Sequence, residues 1–261
     1  MIEKGRLIRR VIALAVLLFV VVGIVYAVSS LVPDNVQPPT PTPVFEPLVV
    51  LDQKLITISD RDYDFYVRVR NPNTEFGARS ASYSLVLYDG ENNQVGLIPG
   101  TFFMLPGQTR DIVISPIRTS TGAASAVVVI SEVVWQALDD VAANGAQLNV
   151  TNNFFQRRSR DSIFARAFGI VENKSDLQLR EVEVDVVVYD FEGEIKAVNR
   201  STLYSVKSRE VRAYEVFWFL PFDGADDISH VEAFANANIF LDNAFERTYV
   251  RTYEDKPFQR F

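Results

Sequence analysis

Cysteine is absent from the 261-residue chain, and histidine occurs once, at His230. The first absence excludes thiol nucleophiles, disulfide scaffolds, lipobox lipoproteins and every Cys/His zinc pattern. The second means that a Ser-His-Asp triad would have to be assembled around His230 alone. His230 itself lies in DDISHVEAF, between an acidic turn and a strand, and reads as an ordinary strand-end residue. Positive charge is also scarce where it would matter. The chain carries a net −7, yet residues 1–10 (Lys4, Arg6, Arg9 and Arg10 against Glu3) are basic, and residues 11–33 are uncharged. Residues 34–261 therefore hold −10, which argues against nucleic acid as a partner, because phosphate binding needs a basic field. No glycine-rich phosphate loop occurs, since the twelve glycines are scattered at turns.

What is present begins with 23 uncharged residues, Val11 to Pro33, opening VIALAVLLFVVVGIVYAV. At about 1.5 Å per residue such a helix would cover roughly 30 Å, the hydrocarbon thickness of a bilayer. The expectation is a basic cytoplasmic tail over residues 1–10 and a transmembrane signal anchor over 11–33, with the rest outside the cytoplasm by the positive-inside rule. The alternative is a cleaved signal peptide with Ala27-Val28-Ser29 as its small-x-small site; the apolar run is longer than signal regions of about 7–15 residues. Six of the twelve prolines follow between Pro33 and Pro47. Residues 34–47 thus read as a semi-rigid, polyproline-like spacer.

Beyond residue 48, period-two alternation replaces helical periodicity. Phe65, Val67 and Val69 alternate with Tyr66, Arg68 and Arg70; Tyr83, Leu85 and Leu87 alternate with Ser82, Ser84 and Val86. Turn chemistry separates these strands at Asn71-Pro72-Asn73, Asp89-Gly90 and Pro106-Gly107. Sliding the chain along itself by about one hundred residues aligns Asn71 with Asn173 and Tyr88-Asp89 with Tyr189-Asp190. In the second copy Val182, Val184, Val186 and Val188 supply a buried face, and Glu183 and Asp185 are expected on a solvent face. The fold class that follows is all-β, two tandem immunoglobulin- or fibronectin-like sandwiches over residues 48–138 and 139–261.

Asn71-Pro72-Asn73 resembles the start of the LEA14/WHy domain. Leu85-Val86-Leu87-Tyr88-Asp89 and Val186-Val187-Val188-Tyr189-Asp190 resemble the FxLYD signature of bacterial membrane-anchored proteins. The signature Phe is Leu85 in one copy and Val186 in the other, and Asn173-Lys174 stands where Asn-Pro is expected. The resemblance implies small β-sandwiches and carries no catalytic residues to transfer.

Candidate chemistry is sparse. Asp60, Asp62 and Asp64 have the D-x-D-x-D spacing of a calcium loop, but Phe65 and Asn71 stand where it needs Gly and an acidic residue. They read as a solvated turn, with no metal or other cofactor assigned; Asp139 and Asp140 are a weaker calcium candidate. Asn149, Asn173 and Asn199 head glycosylation sequons, and Arg157-Arg158-Ser159-Arg160 is the one basic patch of an acidic body. The sharpest signal is Val216-Phe217-Trp218-Phe219-Leu220-Pro221-Phe222, whose apolar residues fall on both faces of one strand. A sandwich strand should keep one polar face. Phe217, Trp218, Phe219 and Phe222 are therefore the candidate partner-binding residues, covered by the neighbouring domain or by another envelope or membrane protein; burial inside their own domain, under a long loop, is the alternative reading. The expected function is a non-enzymatic, membrane-anchored extracytoplasmic scaffold. The alternative is a module that binds or hydrolyses envelope polysaccharide through surface carboxylates.

Overall fold

The computed structural model describes residues 15–24, 26, 44–137, 147–158 and 162–240, and the backbone of 245–247. It divides into two compact units, Met1–Val44 and Phe45–Phe261. In the first, residues 15–24 and 26 are helical with exposed side chains. No helix among the described residues is long and apolar enough to cross a membrane. The remainder of the 11–33 span and residues 34–43 of the proline segment lie outside the described residues, as do Asp139 and Asp140.

The second unit is all-β and antiparallel. Its strands are β1 (Val49–Thr57), β2 (Asp62–Arg70), β3 (Phe76–Tyr88), β4 (Gln94–Met104), β5 (Thr109–Arg118), β6 (Ser125–Ala137), β7 (Leu148–Arg157), β8 (Ala165–Asn173), β9 (Leu177–Asp190), β10 (Ile195–Val206), β11 (Val211–Trp218), β12 (Ile228–Asn236) and β13 (Phe245–Arg247). They form sheets ordered β1-β2-β5, β4-β3-β6, β11-β8-β7 and β10-β9-β12, with β13 pairing β9. Alternation sets the layers. Phe65, Val67 and Val69 of β2 meet Leu85 and Leu87 of β3 in one core. Val182, Val184, Val186 and Val188 of β9 meet Val171, Tyr214, Val216 and Trp218 in another. Each pair of sheets is thus a two-layer β-sandwich.

The two sandwiches repeat one wiring diagram, and short polar side chains fix its turns. Asn71 is buried; its Nδ2 donates to the carbonyls of Phe76 (2.8 Å) and Leu105 (3.0 Å) while its Oδ1 accepts from Asn73 N–H. Asn173 donates to Leu177 O (2.7 Å) and Lys207 O (2.9 Å) and accepts from Ser175 N–H. Asp89 Oδ1 accepts from the N–H groups of Glu91 and Asn93, and Asp190 Oδ1 accepts from those of Glu192 and Glu194. These turns need a left-handed residue, supplied by Asn92 (φ 63°) in one copy and Gly193 (φ 81°) in the other. Such bonds hold Asp89 below the usual carboxylate range, chiefly through Asn93. Asp190 is lowered first by Lys196, 2.8 Å away.

The sandwiches pack sheet on sheet. The outer face of β1-β2-β5 lies against that of β10-β9-β12, with Ile56, Tyr66 and Val113 on one side and Val187, Ile195 and Val198 on the other. This corrects the expected solvent face of β9: Asp185 is 0% exposed. The pattern of alternating valine and carboxylate is real, but the acidic side is covered by the first sandwich rather than by water. Arg200 Nε bonds Asp185 Oδ1 at 2.6 Å, and Arg110 reaches across to Glu183 with Asp185 Oδ2 at 3.9 Å. Burial pushes the Asp185 carboxyl up, and Arg200 and Arg110 pull it back. Beside them, Asp111 accepts from the Tyr66 hydroxyl and from Arg68 Nε (2.7 Å). Gln108 Nε2 donates to Asn236 Oδ1 (2.9 Å), and Lys54 pairs with Glu194 at the rim (2.5 Å).

The start of the unit is anchored too. Phe45 stacks on Trp135 (5.2 Å between centroids) and meets Phe76 edge-on. Glu46 N–H donates to Asn73 Oδ1 and Asn73 Nδ2 donates back to Glu46 O. At the far end Phe240 covers Gly77, where a Cβ would lie 2.3 Å from the ring. Residues after β12 therefore close over β3 of the first sandwich.

Candidate functional site

The four aromatic residues singled out near β11 separate in the structure. Tyr214, Val216 and Trp218 point inward, while Ala213, Glu215 and Phe217 face out. Trp218 is 5% exposed and donates its indole N–H to Val198 O. Because β11 ends at Trp218, alternation stops there and Phe222 folds back into the core. It is 5% exposed and packs against Trp218, Phe155 and Phe164 at 5.8, 6.1 and 5.6 Å. Trp218 and Phe222 are thus core residues; a single contiguous run of aromatics concealed two environments. Phe219 is 64% exposed and lies 6.5 Å from the half-buried Phe217. The first sandwich covers the β10-β9-β12 face instead, so it does not shield these two.

Phe217 belongs to a wider apolar face that the local sequence does not announce. Outward positions of β8 carry Arg166, Phe168 and Ile170, and those of β11 carry Ala213, Glu215 and Phe217. On β7 an extra residue bulges between Thr151 and Phe154. Asn152 there has φ 56°. Asn153 Oδ1 accepts from the Tyr214 hydroxyl (2.9 Å), whose ring lies over Gly169 so closely that a Cβ would meet it at 2.8 Å. The bulge brings Phe154 opposite Phe168, with rings 5.6 Å apart, and leaves Phe154 55% exposed.

Charge on this face is already neutralised. Arg166 donates to Glu215 Oε1 (2.7 Å) and through Nε and Nη2 to Gln156 Oε1 (2.8 and 2.6 Å). Its guanidinium sits 4.8 Å from the Phe168 ring centre. A partner docking here would cover aromatic surface and a charge that has its counter-ion in place, so the desolvation cost is small. Arg157 pairs with Asp226 at the adjoining edge; Ser159 and Arg160 of that basic patch lie outside the described residues.

The remaining candidates are structural or scattered. Asp62 is held by Ser59 and Arg118 and lies below the usual carboxylate range because of Arg118 first. Asp64 lies on the same side of β2 and is buried, which raises its carboxyl to about 6. Among the described residues no three histidine or carboxylate groups converge as a metal site. His230 is exposed and stacks on Tyr189 at 4.9 Å. Asn173 is fully buried and Asn199 donates to Phe217 O, so both sequon side chains serve the fold.

A cleft of about 460 Å³ opens between the sandwiches, lined by Arg79, Phe102, Phe103, Arg180, Glu181 and Glu183 among others. It holds two carboxylates, as the polysaccharide alternative requires. Glu183 is engaged by Arg110 and Arg200, and Phe103 is buried under the Arg110 guanidinium, 4.2 Å from the ring centre. Neither a free carboxylate pair nor an exposed aromatic platform results.

No family model matches the chain, and no curated protein matches it. Among solved structures it has a likeness to the calcium binding domain CBD12 of CALX1.1, at 16% identity and a TM-score of 0.21 over 67% of this chain and 74% of that one. Red sea bream transglutaminase gives 8% identity and a TM-score of 0.20 over 71% of this chain and 29% of that one. Likeness at this level assigns no function.

Proposed function

We propose that the chain is a membrane-anchored, extracytoplasmic interaction or scaffold protein whose two sandwiches are immunoglobulin-like modules of the FxLYD and LEA14/WHy kind. The layers β1-β2-β5 and β4-β3-β6 correspond to strands A-B-E and C′-C-F of an immunoglobulin-like sandwich, and the second copy repeats them. The repeated Asn71/Asn173 and Asp89/Asp190 turns give the two signatures a physical reason to recur. The uncharged run from Val11 to Pro33 behind a basic tail is the ground for the anchor.

One observation carries the interaction role: the outer β7-β8-β11 face, where Phe154, Phe168, Ile170, Phe217 and Phe219 surround an Arg166 that already has its counter-ion. Apolar sheet faces left to water are uncommon on monomers and mark binding surfaces. The test is a photo-activated phenylalanine analogue at position 219 of the full chain in native membranes. A discrete protein adduct is expected; absence of any adduct, with the same analogue at Tyr204 as control, overturns the docking role. Protease access to the body only after the outer barrier is opened, with no access from the cytoplasmic side, tests the location.

A further inference from the structure

The two sandwiches are joined head to tail, through faces of different kinds. The first contributes its β1-β2-β5 face and the second its β10-β9-β12 face. Because the sandwiches share one wiring, the two faces left open, β7-β8-β11 and β4-β3-β6, are the strand-for-strand counterparts of the two that meet. Registers make this explicit: Tyr66 pairs Lys54 on one side and Val113 on the other, and Phe168 pairs Phe154 and Glu215 in the same way. Likewise Val187 lies between Val198 and Glu232, and Val86 lies between Leu97 and Val127.

The open counterparts differ from the joined faces in one respect, which is charge. Where β9 and β10 present Glu183, Asp185 and Arg200, the corresponding positions of β3 and β4 are Ser82, Ser84 and Pro99. Leu97, Val127 and Val129 are exposed on the same side. Around these positions the face is uncharged, with exposed Arg79 and Glu132 farther along β3 and β6, and it suits the aromatic β7-β8-β11 face, whose Arg166 and Glu215 neutralise each other. Closing the 82–86 part of one on the other would bury no unpaired charge.

We propose that the β7-β8-β11 face of one copy stacks on the β4-β3-β6 face of a second copy, continuing between chains the packing that joins the sandwiches within one. This rests on the docking role proposed above and names its partner. A contact between unlike faces does not close on itself in a dimer, so it continues from chain to chain into rings or rows.

The absence of cysteine makes the test clean, because each introduced thiol is unique. Ala213→Cys marks the β11 side and Ser84→Cys the β3 side, both conservative changes at outward positions. Full-length chains of the two kinds are mixed in membranes and treated with a short bis-maleimide. Linked dimers are expected in the mixture, little in either variant alone, and a ladder of oligomers in the A213C/S84C double variant. Adding Phe217→Glu should reduce linking at least tenfold. No linking in the mixture, or equal linking by A213C alone, overturns the proposal. The photo-adduct at position 219 separates the two failures. An adduct of twice the chain mass accompanies self-stacking; an adduct of any other mass keeps the docking role and removes the self-stacking; no adduct removes both.

Discussion

Asn71 and Asn173 occupy the same place in the two sandwiches, each buried and each bridging the end of one strand to a following turn through two main-chain carbonyls. Main-chain carbonyls in such a turn have no ladder partner, and the asparagine amide supplies both donors at once. Alanine at either position removes both amide bonds, leaving Leu105 O and Lys207 O with only the turn bonds from Gln108 N–H and Glu210 N–H. We expect Asn71→Ala and Asn173→Ala each to cost about 1–3 kcal/mol, read as a fall in the urea midpoint at unchanged slope. A loss under about 0.5 kcal/mol would show that water replaces the amide.

Arg110 ties the sandwiches together from inside: it is 2% exposed, donates to Phe103 O at 2.7 Å and faces Glu183 and Asp185. Its removal strands buried carboxylates with only Arg200 to balance them. Arg110→Ala should cost about 3–5 kcal/mol, and R110A/D185A should cost less than the two single changes summed. Calorimetry is the measurement, and the variant should split one transition into two as the sandwiches uncouple. A single unshifted transition would mean that the apolar cluster of Ile56, Tyr66 and Val198 suffices.

How much of this was legible in the chain differs by element. Period-two alternation located the strands, since Phe65, Val67 and Val69 or Val182 to Val188 have no other way to share one side. The partner of the opposite side was not legible. Glu183 and Asp185 look like any solvated edge, because a pattern of alternating residues states which face is polar and not what covers it. Phe217 and Phe219 were visible as surplus apolar residues. Trp218 and Phe222 were not separable from them, as that depends on β11 ending at Trp218. Phe154 and Phe168 escaped notice because a bulge, set by Asn153, Gly169 and Tyr214 from three strands, brings them together.

Asp64 supplies a pH dependence. It is buried on β2 and its carboxyl is raised to about 6 from 3.8, first by desolvation, with a Ser115 hydrogen bond opposing. A carboxyl raised on folding favours the folded state fully below its unfolded value, and that contribution is lost as pH rises through about 6. Asp64→Asn mimics the protonated form. It should match the parent near pH 4 and exceed its stability above pH 6.5 by on the order of 2–3 kcal/mol, followed by urea unfolding across that range. A difference that does not vary with pH would remove the carboxyl as the cause.

Phe217 and Phe219 against Trp218 and Phe222 is the sharpest contrast, because four aromatics within six positions should respond in two ways. Phe217→Ser and Phe219→Ser remove surface that water already touches, and each should change stability by less than about 1 kcal/mol. Trp218→Ala and Phe222→Ala empty a core shared with Phe155 and Phe164, and each should cost about 3–5 kcal/mol. Thermal unfolding of the four variants reads this directly. Thiol linking between A213C and S84C chains should be lost in the first pair while the fold persists; if Phe219→Ser instead unfolds the second sandwich, its exposed ring is not the docking surface described here.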